Sequence, residues 1–162
     1  MKKVISFLLA VILLLTFSVF ALGSTESEGG ENQGTGTAEN VAKDGKLGDY
    51  NVEIMSCRLD KNVLGEDIVI VKYSFTNNSD SSRSFVGAIE DNVYQNGIGL
   101  NETIFGDDDY QSDAQLKEIK KGATLELEIA YKLDDKTTDI EVEVKEFISF
   151  SDKVITKTFS IK

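Results

Sequence analysis

The chain has 162 residues, 17 Lys and Arg against 28 Asp and Glu, a net charge of -11, no histidine, no tryptophan and one cysteine. Those absences exclude Ser-His-Asp and Cys-His catalysis, histidine-bound zinc and an internal disulfide, so the fold must rest on its apolar core. An acidic surface repels nucleic acid and anionic lipid, which argues against broad binding to either.

Lys2 and Lys3 precede an apolar run from Val4 to Leu22 that closes on small residues at Ala21-Leu22-Gly23. This order of charge and hydrophobicity predicts a secretory signal cut before Ser24. The run also spans roughly 28 Å at about 1.5 Å per residue, nearly a hydrocarbon core. Residues 1–23 therefore read as a signal peptide or a retained N-terminal anchor. Either fate places the chain outside the cell, secreted or on the outer face of the cytoplasmic membrane, with membrane contact only through this segment. Lipid anchoring lacks its attachment atom, because Ser24 stands where a cysteine would be.

Ser24 to Asn40 contains no aromatic residue and almost no apolar one. Such a tract cannot repay the entropy of ordering, so residues 24–46 are expected to form a disordered polar linker. Residues 47–162 then make one domain.

Period-two alternation dominates this domain. Tyr50, Val52 and Ile54 lead to Cys57 and Leu59, with a change of face between Ile54 and Met55 that predicts a β-bulge. Cys57 reads as a buried, inert thiol. After the turn at Leu64-Gly65-Glu66-Asp67, Val69, Val71, Tyr73 and Phe75 share one face against Lys72, Ser74 and Thr76. Asn77-Asn78 predicts an Asx turn, its side-chain oxygen accepting local backbone amides.

Phe85, Gly87 and Ile89 read as a further strand, and Glu90-Asp91 as a surface turn beyond it. Asn96-Gly97, both tolerant of positive φ, predicts a tight hairpin. Ser112 to Ile119 fits alternation poorly and reads as a loop or short crossover. Leu125, Leu127, Ile129, Tyr131 and Leu133 form the second core strand, followed by a turn at Asp134-Asp135-Lys136. Ile140, Val142 and Val144 continue the pattern, with a second expected bulge before Phe147, and Ile155, Phe159 and Ile161 close it. Phe147 and Phe150 are expected to fill the core with the other aromatics. The fold class is thus all-β, an immunoglobulin-like two-sheet β-sandwich with a barrel as the alternative.

Tyr50 to Ile54, Val71 to Ser79, Gln95-Asn96-Gly97, Asp107 to Tyr110, Ile119 to Ala123 and Ala130 to Leu133 resemble an uncharacterised family of domains in Gram-positive secreted and surface proteins. These are similar to telokin-like, immunoglobulin-fold lipoprotein domains. The resemblance covers residues 48 to 152 and implies a sandwich at the cell surface with no assigned activity. Two departures stand out: the missing lipid-bearing cysteine, and Lys121-Gly122 where relatives often carry Pro-Gly.

One cluster invites metal chemistry. Counting from Asp107, oxygen-bearing residues fall at the first, third, fifth and twelfth places of a calcium loop, namely Asp107, Asp109, Gln111 and Glu118. Asp107, Asp109 and Glu118 are the candidate calcium ligands. Ser112 occupies the place that wants glycine, and no amphipathic helices flank the loop, so a solvated acidic loop is the competing reading. Glu90 and Asp91 supply the paired carboxylates of a glycoside hydrolase only if a cleft holds them at a defined separation. The expected role is a non-enzymatic interaction module for an unknown protein or cell-envelope component. The alternative is a calcium-dependent surface module.

Overall fold

The computed structural model describes residues 45–104 and 112–161, which fall in one compact unit. Among the described residues, β1 (Lys46–Leu47), β2 (Tyr50–Lys61), β3 (Asp67–Asn77), β7 (Thr124–Lys132) and β6 (Glu102–Thr103) make one sheet, in that spatial order. The second sheet runs β5 (Ile98–Gly99), β4 (Ile89–Gln95), β8 (Ile140–Glu146) and β9 (Val154–Phe159). All pairings are antiparallel. The two sheets face each other across one core, as expected of a sandwich.

β2 and β3 pair from Tyr50↔Asn77 to Lys61↔Asp67, and the register slips between Ile54 and Ser56. The extra residue, Met55, is the bulge that the change of face predicts. β3 lies centrally between β2 and β7. Val69, Val71, Tyr73 and Phe75 are buried against Val52, Ile54, Leu127, Ile129 and Tyr131 of their own sheet and Val93, Val142 and Val144 of the other. Burying each such side chain contributes roughly 1.5–3 kcal/mol. On the solvent face Lys72 pairs with Glu126 at 2.6 Å and Thr76 meets Thr124 at 2.8 Å. The first half of β3 departs from simple alternation, since Ile68 and Ile70 are also buried, in a separate small cluster with Ala130.

Phe85 to Ala88 is a short helix, α1, where the sequence predicts strand. The tetrapeptide satisfies alternation, but the Ser84 hydroxyl accepts the Gly87 N–H at 3.3 Å and starts a helical turn. Phe85 then plugs the core, its ring 5.3 Å from Tyr73 and 5.7 Å from Phe75. Ser112–Leu116 is a 3-10 turn anchored by buried Ala114. The strand after α1 starts at Ile89, so Glu90 and Asp91 lie inside β4 and not in a surface turn.

The second expected bulge is absent. β8 and β9 pair in continuous register, and the chain leaves the sheet at Phe147. Phe147 is therefore 55% exposed and Phe150 fully so, a correction to their expected core role. Asn96 and Gly97 both have positive φ, 52° and 74°, as their hairpin requires.

Candidate functional site

Asp107 and Asp109 lie outside the described residues. Glu118 is exposed, between the 3-10 turn and the bridge joining Ile119 to Arg83. Among the described residues no three carboxylate, cysteine or histidine groups gather around one point.

The adjacent acids Glu90 and Asp91 are parted by the strand they share, since consecutive β residues face opposite sides. Glu90 points out and pairs with Lys145 at 3.0 Å, which holds its carboxyl below the usual range. Asp91 points in. Two carboxylates on opposite faces of one strand cannot flank a glycosidic bond.

Asp91 instead reaches across the interior, where its carboxylate accepts a hydrogen bond from the Tyr131 hydroxyl of β7. That hydroxyl lies 3.3 Å from the hydroxyl of Tyr73 on β3. Burial pushes the Asp91 carboxyl up to about 6, opposed by the Tyr131 hydrogen bond and reinforced by the negative charge of Glu102. Burial also raises both phenols well above their ordinary value. The sequence carried a signal for this network: Ile89, Asp91, Val93 and Gln95 alternate, so a carboxylate stands in an inward row.

The strand registers collect the loops at two ends. One end holds the β1–β2 turn, the β3–α1 connection, the turn before β7 and the β8–β9 loop. Asn77 ties this end together. Its buried amide donates to the carbonyls of Ser81 (2.8 Å) and Ile119 (2.9 Å), and its oxygen accepts from the backbone and hydroxyl of Ser79. This is the predicted Asx turn with a second job, bridging two distant segments.

From this stiffened end the β8–β9 loop projects Phe147, Ile148 and Phe150, with Ile148 80% exposed. The loop is locally organised. The Phe147 N–H donates to the Ala88 carbonyl (2.9 Å), and the Ser149 hydroxyl accepts the Ser151 N–H (3.0 Å). Three large apolar side chains within four residues exceed the scattered exposure ordinary for a protein surface. No hydrophobic periodicity announces them, because the exposure depends on where the strand ends.

On the flank, the Lys157 ammonium of β9 donates to the carbonyls of Ile54 and Met55 at the β2 bulge, 2.8 Å each. The same ammonium stands 5.0 Å from the centre of the Phe159 ring. Cys57 is half-buried, and burial raises its thiol above the ordinary value.

A family described as "Domain of unknown function (DUF5067)" matches residues 25–146. No curated protein matches this chain. Two solved structures share the fold. A candidate lipoprotein from Staphylococcus aureus superposes with a TM-score of 0.58 at 17% identity, covering 75% of this chain and 90% of its own. A protein from Enterococcus faecalis, solved by NMR, gives 0.56 at 14%, covering 77% and 95%.

Proposed function

This chain belongs to the DUF5067 family, and from that premise we propose that it is a non-enzymatic binding module working outside the cell. The carrying observation is the β8–β9 loop, which offers Phe147, Ile148 and Phe150 to solvent from an otherwise acidic domain. Large apolar anchors at a polar rim are what a protein interface uses to gain affinity, and a rigid base lowers the entropy lost on docking. An extracellular setting is supported by the N-terminal charge-then-apolar order and by the likeness to a candidate lipoprotein from a Gram-positive bacterium. The partner is a protein or envelope component with an apolar recess.

Photo-cross-linking from position 150 on producing cells tests this reading. A discrete adduct, lost when Phe147 and Ile148 are changed to Ser at unchanged melting temperature, supports it; an adduct pattern indifferent to that change overturns it.

The calcium-dependent alternative built on Asp107, Asp109 and Glu118 makes a different demand, that metal alone should stiffen the chain.

A further inference from the structure

The opposite end of the sandwich carries a second apolar surface of different character. The β2–β3 turn projects Val63 and Leu64, and Ile104 and Leu116 face them across an open groove of about 630 Å³ whose floor includes Ile129 and Ala130. All four wall side chains are largely exposed, Leu64 at 79%. Glu102 and Asp113 also line the groove. Lys117 follows Leu116 in the chain but is not among the lining residues.

The β2–β3 turn and the 3-10 turn are each anchored locally. Asn62, buried at the base of the β2–β3 turn, accepts the N–H groups of Leu64 (3.0 Å) and Glu66 (2.9 Å) and donates to the Glu66 carboxylate (2.8 Å). Gly65, at φ +76°, completes a turn that an L side chain would strain. Opposite, buried Ala114 pins the 3-10 turn from which Leu116 projects.

We propose that this groove docks a cationic amphipathic peptide segment, its apolar side chains between Leu64 and Leu116 and its Lys or Arg groups on Glu102 and Asp113. Charge complementarity selects this occupant. The chain's own Ser24–Asn40 tract carries four glutamates and no basic residue, so it is repelled. A second copy brings a net charge of -11 to two carboxylates, and an anionic bilayer is excluded on the same ground. This site stands apart from the Phe147 loop and does not depend on it.

The test uses the full chain and a fluorescein-labelled helical Leu/Lys peptide, with its Leu/Glu and Ser/Lys counterparts as controls, read by anisotropy. Saturable binding of the Leu/Lys peptide alone is expected. A Leu64→Ser/Leu116→Ser variant should weaken it about tenfold or more, as should Glu102→Gln/Asp113→Asn. Melting temperature should be unchanged in the leucine variant, since those side chains are exposed, and unchanged or higher in the carboxylate variant, since Glu102 repels the Asp91 carboxylate. Glu53→Gln/Glu141→Gln, which removes equal charge elsewhere, should leave affinity within about twofold.

Equal losses in the distal and groove variants would reduce the effect to diffuse electrostatics and overturn the proposal. So would absence of binding, equal binding of either control peptide, a dimer that Leu64→Ser dissolves, or anionic vesicles captured through the groove.

Discussion

The Tyr131 hydroxyl donates to the Asp91 carboxylate across the sandwich interior, so a single polar contact fastens β7 of one sheet to β4 of the other. Burying a carboxylate favours its protonated form, and here that influence outweighs the hydrogen bond that favours the anion.

The sign of the pH dependence follows. The folded state holds the Asp91 proton up to about pH 6, whereas a free carboxyl releases it near 3.8. Its contribution is therefore most favourable below the lower value and is lost as pH rises through the upper one. Asp91→Asn keeps the shape without the charge. The variant should gain up to about 3 kcal/mol on the wild type between pH 4 and pH 7.5, read from urea midpoints. An offset independent of pH would contradict the assignment. Glu66, Asp67, Glu90 and Asp135, all lowered by their hydrogen-bond partners, act in the opposite sense in both proteins and cancel in the difference.

Gln95 closes the far end of β4. Its buried amide donates to the carbonyls of Asp135 (3.2 Å) and Thr138 (2.9 Å), while its oxygen accepts the N–H groups of Asp134 (2.9 Å) and Asp135 (3.3 Å). Gln95→Leu keeps the bulk but strands four backbone groups, and should cost about 2–4 kcal/mol in urea unfolding. A loss below about 1 kcal/mol would mean that the β7–β8 loop finds other partners.

Two phenylalanines should part company. Phe85→Ala empties the space against Tyr73 and Phe75 and should cost about 3–5 kcal/mol. Phe150→Ala, from a fully exposed position, should stay within about 0.5 kcal/mol of wild type. Comparable losses at both would place Phe150 in a packed environment and remove it from the binding surface.

For the metal alternative, the expected thermal midpoint is the same with millimolar calcium as with excess chelator. A rise of several degrees that Asp107→Asn/Asp109→Asn abolishes would establish the calcium reading instead.

The long strands were legible because, outside the small cluster of Ile68, Ile70 and Ala130, each has one face in the core and the other turned towards water. Val69 to Phe75 and Leu125 to Leu133 advertise that difference in their alternation. The bulge at Met55 and the turns at Asn77 and Asn96-Gly97 were legible because their chemistry is local. The helix at Phe85 was missed because its four residues suit either state, and only the Ser84 hydroxyl decides between them. Asp91 was missed because a charged side chain reads as solvent-facing until two tyrosines from another sheet are brought to it. The end of β8 is likewise a tertiary fact: pairing with β4 stops at Ile89↔Glu146, and that limit exposes Phe147 and Phe150. Strand order arises wholly from such long-range pairing.

Lys157 has a further consequence. Beyond its short pairing with β1, β2 runs along the border of its sheet, where bare carbonyls would welcome a strand from a neighbouring molecule. At Ile54 and Met55 those oxygens are already claimed by an ammonium group. A strand approaching this border would thus meet a kinked stretch whose carbonyls already hold a positive charge, two features that disfavour edge-to-edge pairing.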